Sequence, residues 1–200
     1  MTPHFSRGDA GQAFPIYITV VAGLLFLALA YLAVGQAAAN RSGAQTAADA
    51  AALAAAQEAR DQLAGEWVEN VGDPASWERI FNGLGADLDD TCWRAAQLAS
   101  RNDAHVDACA PDGRLGYRVE VTADDPVGKS IVPGTENKRA HASALAVIEP
   151  ICEVEPPDGD GKDDVPPRLT CEDQEWELDP EKSPELPKPQ DLFDVHLADS

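Results

Sequence analysis

The hydrophobic pattern of the chain opens with an apolar run, residues 14–34, that contains no charged residue. A helix rises about 1.5 Å per residue, so this run of about 21 residues matches the roughly 30 Å hydrocarbon core of a bilayer. Pro15 lies near its start, where a helix does not need the missing N–H group. We predict a transmembrane helix over residues 14–34, preceded by a short cytoplasmic N-terminus, residues 1–13.

Good helix formers continue beyond the apolar run to about Leu63 without a proline. The pattern therefore predicts one helix of about 50 residues. Its second part, residues 35–64, is an Ala-rich helical stalk. A cleaved secretory signal is the alternative interpretation of the apolar run. Because a signal core has about 7–15 residues and the helical pattern here runs past any cleavage point, we expect a retained anchor.

Small residues recur at every fourth position along the stalk. They are Gly35, Ala39, Gly43, Ala47, Ala51, Ala55 and Ala59. Such a stripe lets two helix backbones approach closely, as small residues do between membrane helices. Alanine is also the best helix former, so a rigid tether with no lateral partner explains the same residues equally well. A helix-packing stripe and a simple stalk both stay open.

Shorter periodic segments beyond the stalk predict a small α+β domain over residues 65–149. The expected elements are a helix at residues 75–83 closed by Gly83, a helix at 87–101, a turn at 110–113, a strand at 115–121, a polar loop at 124–137 and a strand at 139–148. The four tryptophans are expected to be packing anchors: Trp67, Trp77, Trp93 and Trp176.

The composition changes near residue 149, beyond which acidic residues and prolines dominate. Such a segment buries too little apolar surface to offset the entropy of ordering it. We therefore expect an acidic Pro-rich tail, residues 150–200, that is partly disordered. Two features oppose full disorder: Cys152 and Cys171 could close a loop, and residues 191–197 could dock as an edge strand. Docking and disorder remain equal alternatives for that last segment.

The net charge of −20 and the pI near 4.3 exclude a nucleic-acid-binding protein, because phosphate contacts need clustered lysine and arginine. Anionic lipid headgroups do not attract such a domain either. The acidic surface is most simply a solubility feature. Charge barely decides the membrane orientation, since Arg7 precedes the apolar run and Arg41 follows it.

Four cysteines lie beyond the apolar run: Cys92, Cys109, Cys152 and Cys171. They form no CxxC pair, so their spacing does not indicate zinc. In an exported chain an even number of cysteines predicts disulfide bonds. Of the three connectivities, we favour Cys92–Cys109 and Cys152–Cys171 because each closes a short loop. Reduced thiols in a cytosolic domain are the alternative. The disulfide interpretation places the C-terminal domain outside the cytoplasm.

The first 60 residues resemble the N-terminal region of TadE/TadG-like proteins of the Flp (tight adherence) pilus apparatus. The resemblance rests on GDAGQ at residues 8–12, the apolar span, and AQTAADAAALAAA at residues 44–56. It implies a single-pass envelope protein whose C-terminal domain lies outside the cytoplasmic membrane. Pilin-like members of such systems are cut after a glycine that precedes a glutamate by five residues. After Gly11 that position is Ile16, so we do not expect processing.

Neither a catalytic nor a metal-binding constellation is evident in the sequence. The four histidines, His4, His105, His141 and His196, are scattered. The acidic segment at residues 158–164 resembles a calcium loop, but Asp163 and Leu169 occupy the positions that need glycine and an acid. The sequence also contains no phosphate loop or nucleophile elbow. We expect no enzyme, cofactor or metal.

The sequence thus predicts a membrane-anchored, non-catalytic structural or assembly component of a Tad-type pilus or secretion apparatus. Its expected partners are the cytoplasmic membrane and other Tad pilus-assembly proteins or pilins, with a lateral homo- or hetero-oligomer. The alternative is a membrane-tethered extracellular binding module whose acidic tail binds a cation or a protein.

Overall fold

A computed structural model of the chain describes residues 13–84, 88–126, 137–155, 168–172, 174–177 and 186–198. The GDAGQ motif at residues 8–12, the acidic segment at 158–164 and parts of the predicted tail lie outside these residues.

The first element is a single helix, α1 (Ala13–Glu69), of 57 residues. It confirms the predicted long helix and extends it past Leu63. At about 1.5 Å per residue it is roughly 85 Å long. It ends at Asn70, whose side-chain amide donates to the carbonyl of Glu66 at 2.8 Å. This side-chain bond satisfies a carbonyl of the last turn, and the turn that follows leads into the next helix.

Two short helices follow, α2 (Pro74–Phe81) and α3 (Cys92–Arg101). Gly83 ends the first of them, as predicted, with a φ of 62° that favours glycine. A Cβ atom there would also lie 2.9 Å from a side-chain carbon of Leu115. The second helix begins at Cys92, later than predicted, and buries Ala95 and Ala99.

Seven strands and one further short helix complete the described chain. The strands are β1 (Ala104–Pro111), β2 (Gly116–Pro126), β3 (Arg139–Pro150), β4 (Cys152–Glu155), β5 (Arg168–Cys171), β6 (Gln174–Glu177) and β7 (Phe193–Leu197), and the helix is α4 (Pro189–Leu192). The main sheet has the order β1-β2-β3-β7, and all its neighbours are antiparallel. A second antiparallel sheet has the order β4-β5-β6.

Strands β2 and β3 confirm the two predicted strands, and both are longer than predicted. Strand β1 was not predicted. A register shift between Val106 and Ala108 breaks the two-residue alternation that marks a strand in sequence. The predicted turn at 110–113 is wrong in its first residues, because β1 continues to Pro111.

The described parts of the predicted tail form strands β4, β5, β6 and β7 and the short helix α4. Cys152 pairs with Cys171 across β4 and β5. Strand β7 pairs with β3, which resolves the open alternative in favour of docking. Leu192 and Phe193 are fully buried. The burial of these apolar side chains favours docking of β7, which the acidic composition of the segment did not indicate.

One hydrophobic core lies between the second half of α1 and a face of the main sheet. Trp67 and Trp77 are fully buried near the end of α1, with ring centroids 5.5 Å apart. Phe81 packs on Phe193 with centroids 5.3 Å apart, which joins α2 to the docked last strand. Trp93 is 47% exposed, so the prediction of a packing anchor is wrong for this residue.

Candidate functional site

The apolar first part of α1, residues 14–34, packs against nothing in the described chain. Its large side chains are exposed, with Tyr31 the most exposed of them at 83%. The helix is long and apolar enough to cross a membrane, and none of its most apolar window is buried. Exposing so many large apolar side chains to water is unfavourable, whereas a bilayer would accommodate them. This is consistent with the predicted membrane anchor.

Between this apolar part and the domain lies a short exposed segment, residues 35–43, made mostly of glycine, alanine and small polar residues. At Gly35 and Gly43 an added Cβ atom would meet nothing within 4 Å. Arg41 is the one charged residue here. The helix thus leaves the apolar region with a slender surface that another helix could approach closely.

From Ala44 onward the helix enters the folded domain. Its alanines are fully or almost fully buried on two neighbouring rows: Ala44, Ala47, Ala48, Ala51, Ala52, Ala55, Ala56 and Ala59. This part of the helix contacts β2, β3, β7, α2, α3 and α4. Methyl side chains allow the sheet and α3 to approach the helix backbone closely, so the alanines are core residues of this chain.

The predicted small-residue stripe therefore divides into two parts. Ala47, Ala51, Ala55 and Ala59 are buried inside the domain and are not available to a second helix. Gly35, Ala39 and Gly43 are exposed. The prediction of a lateral helix contact now rests on these three residues alone.

The similarity to known proteins lies in the exposed apolar part of α1 and in the start of its buried part. Residues 11–58 match the family model for putative Flp pilus-assembly TadE/G-like proteins. The match confirms the resemblance found in the sequence. The chain matches no curated protein and no solved structure. The matched Tad-like segment ends within the buried part of α1, so the strands lie outside it.

Both predicted disulfide bonds are present in the structure. Cys92–Cys109 joins the start of α3 to β1, and Cys152–Cys171 joins β4 to β5. No cysteine of the chain is free. Each bond closes a local loop, as expected. The first attaches α3 to the main sheet, whereas the second joins two neighbouring strands within the second sheet.

A polar cluster on the outer face of the main sheet was missed in the sequence. His105 Nδ1 lies 2.7 Å from an Asp124 oxygen, and Thr122 donates to Asp107 at 2.5 Å. Because the Thr122 hydroxyl proton is already donated to Asp107, its oxygen can only accept from His141. The Nδ1–H of His141 therefore donates to the Thr122 oxygen at 2.6 Å. Among the residues that the structure describes, no three side chains are placed to hold a metal ion. These hydrogen bonds link β1 to β2 and β2 to β3.

The burial of the alanine rows leads to a stability prediction for Ala51→Leu. The larger side chain should overpack the contact between α1 and the rest of the core, and lower the free energy of unfolding by about 1–3 kcal/mol. Urea unfolding of the full chain in detergent micelles, followed by near-ultraviolet circular dichroism, measures this change. Gln57→Leu on the exposed side of the same helix is the control and should shift stability by less than about 0.5 kcal/mol. Equal stability of both variants would contradict the buried position of Ala51.

Proposed function

We propose that this chain is a membrane-anchored, non-catalytic structural component of a Tad-type pilus or secretion apparatus. The observation that carries the proposal is the overlap of two features on one helix. The segment that matches the Flp pilus-assembly family, residues 11–58, contains the exposed apolar helix and the first turns that enter the folded domain. The segment that matches the family is therefore the same part of the molecule that is suited to anchoring and assembly.

The proposed orientation places the N-terminus in the cytoplasm and the domain outside the membrane. Two disulfide bonds support this orientation, because such bonds persist in oxidising compartments outside the cytoplasm. The net charge of −20 suits a domain exposed to solvent. In this orientation, the exposed segment at residues 35–43 lies where the anchor leaves the outer face of the cytoplasmic membrane.

The proposed mechanism uses the continuity of α1. Since one unbroken helix forms both the apolar part and the spine of the domain, the domain is attached rigidly to its anchor. The exposed small residues Gly35, Ala39 and Gly43 then form a contact with a helix of another pilus-assembly protein or pilin. The described side chains of the domain serve packing and cross-strand bonding, which supports a structural role.

A crosslinking experiment tests both the orientation and the assembly role. A membrane-impermeant amine crosslinker is added to intact spheroplasts of cells that make the full chain and the pilus apparatus. We expect crosslinks to other pilus components. Ala39→Leu should weaken the association about 5- to 150-fold, the equivalent of overpacking by about 1–3 kcal/mol.

The control is Ala37→Leu, which makes the same substitution two residues earlier, about 200° around the helix. Both positions are exposed, so neither variant should unfold the domain. If crosslinks appear only after the membrane is permeabilised, the orientation is wrong. If both variants crosslink as strongly as the wild type, the helix is a tether with no lateral contact on the predicted face.

A further inference from the structure

The folded domain begins close to the end of the apolar run of α1. Val34 is the last residue of that run, and Ala44, which is 1% exposed, is the first buried residue of the helix. At about 1.5 Å per residue, these two positions are about 15 Å apart. A bilayer has a hydrocarbon core of roughly 30 Å and a total thickness of roughly 40–45 Å, so each headgroup layer is about 5–8 Å thick. If the apolar run spans a membrane, the domain lies within about 10 Å of the headgroups.

Strand β3 runs beside α1 in the same direction. Near its start, the Ser143 carbonyl accepts a hydrogen bond of 3.3 Å from the side-chain amide of Gln45, in the turn where α1 enters the domain. At its end, Pro150 pairs with Phe193, whose ring packs on Phe81 of α2, the helix that follows the end of α1. The start of β3 is therefore directed back toward the apolar run.

The first residues of β3 reach the level of the headgroups. From Ser143 back to Arg139 the strand covers about 13 Å, or about 10 Å along the helix axis for a strand inclined by about 40°. From Gln45 back to Val34 the helix covers about 16 Å. Arg139 thus lies about 3–6 Å from the level of Val34, which is within the thickness of one headgroup layer.

Neighbouring segments share this level with the start of β3. Arg139 pairs with Pro126 of β2, and His141 pairs with Thr122, which in turn pairs with His105 of β1. A backbone hydrogen bond of 2.8 Å links the end of β2 to the residues that join α3 to β1. We call these segments the proximal end of the domain; they are residues 101–107, 122–126 and 138–142.

The charges of the proximal end cancel, in contrast to those of the whole molecule. Together with α1 at the same level, it carries four exposed cationic and four exposed acidic side chains: Arg41, Arg101, Lys138 and Arg139, and Asp103, Asp107, Asp124 and Asp125. The net charge of −20 therefore belongs to the rest of the chain. Because anionic headgroups repel that acidic remainder, they favour the orientation in which the neutral proximal end faces them.

We propose that the proximal end rests on the lipid headgroups of the membrane that α1 spans, with Arg41, Lys138 and Arg139 bound to the lipid phosphates. The inference rests on the proposed membrane anchor. Guanidinium and ammonium groups form charge-assisted hydrogen bonds with phosphate oxygens. Their long side chains also reach a headgroup layer from a backbone position at its boundary. This contact lies on the side of α1 that carries the sheet, so it restricts the tilt of the anchor.

The test of position uses the full disulfide-bonded chain in nanodiscs that contain phosphatidylglycerol and a lipid with a nitroxide on its headgroup. A bimane fluorophore is attached to one added cysteine, either Asp125→Cys in the proximal end or Glu149→Cys near the far end of β3. Both positions are exposed. We expect strong quenching of the first label and little quenching of the second. Equal quenching of the two labels would overturn the inference.

A third label separates failure of this inference from failure of the anchor. Bimane on Phe26→Cys, in the apolar run, is measured with a nitroxide on the lipid acyl chain, and we expect it to be quenched. Quenching at Phe26→Cys without quenching at Asp125→Cys overturns the inference and leaves the anchor in place. An unquenched label at Phe26→Cys overturns both.

A charge substitution separates phosphate binding from proximity alone. In the Asp125→Cys chain, Lys138→Gln/Arg139→Gln should shift the equilibrium from quenched to unquenched label about 5-fold for each cation removed. Arg79→Gln/Arg114→Gln removes two exposed cations on α2 and in the turn before β2, and should shift it less than about twofold because these charges are far from the headgroups. Equal quenching in both double variants would overturn phosphate binding.

Salt provides the same test without a substitution. Raising the ionic strength from about 0.01 to about 1 M shortens the screening length from about 30 to about 3 Å, so it should reduce quenching of the label at Asp125→Cys. The label at Phe26→Cys should be unaffected, since insertion of the apolar run does not depend on charge. Quenching at Asp125→Cys that is independent of salt would contradict binding through the cationic side chains.

Discussion

Replacing Trp67 with alanine is expected to lower the free energy of unfolding by about 3–5 kcal/mol. The side chain is fully buried and packs against Trp77, where the end of α1 meets α2. Its indole N–H has no hydrogen-bond partner among the described residues, so the loss is one of apolar packing. Urea unfolding of the full chain in detergent micelles, monitored by circular dichroism, measures the change.

Trp93→Ala is the matched control for this prediction. Trp93 is 47% exposed and stacks with Arg94, whose guanidinium carbon is 5.3 Å from the ring centroid. An exposed cation–π contact contributes about 0.5–1 kcal/mol, so this variant should lose about that much stability. A loss for Trp67→Ala no larger than the loss for Trp93→Ala would show that the contact between α1 and α2 is not packed as described.

Removing the Cys92–Cys109 bond is the other change with a large expected effect. The double variant Cys92→Ser/Cys109→Ser should lose about 3 kcal/mol, because the bond closes a loop with a sequence separation of 17 and limits the unfolded chain. The measurement is the free energy of unfolding of the variant and of the oxidised wild type, each calculated from its own urea midpoint and slope.

The second disulfide supplies the comparison. Cys152–Cys171 closes a loop of nearly equal length, with a separation of 19, so chain entropy predicts a nearly equal loss for Cys152→Ser/Cys171→Ser. A much larger loss for one pair would indicate that its bond also positions the native elements it joins, α3 and β1 or β4 and β5. Unchanged stability of both variants would contradict the loop-entropy argument for this protein.

The burial of the small-residue stripe shows where sequence periodicity stops being informative. A four-residue repeat of small side chains specifies a helix face that another element can approach closely. It does not specify which element. In this chain the sheet and α3 cover Ala47, Ala51, Ala55 and Ala59, while Gly35, Ala39 and Gly43 stay exposed.

The cluster of His105, Asp107, Asp124 and His141 could not be predicted for a related reason. These residues belong to three different strands and come together only because β1, β2 and β3 pair in a particular register. Strand β1 was not recognised, since its alternation is interrupted at Asp107. Without that strand, no spacing in the sequence connects the two histidines.

The sequence by itself determined the features that depend on local chemistry. A long uncharged apolar run followed by alanines specifies one helix, Gly83 specifies a helix end, and the short loops between cysteines favour local disulfide pairs. Only the tertiary structure decided what depends on distant partners. Strands in the acidic C-terminal part form because β3 offers an edge and the core offers a place for Leu192 and Phe193. Composition averages over a segment, whereas burial of a few apolar side chains against a preformed sheet is a long-range interaction that no local pattern records.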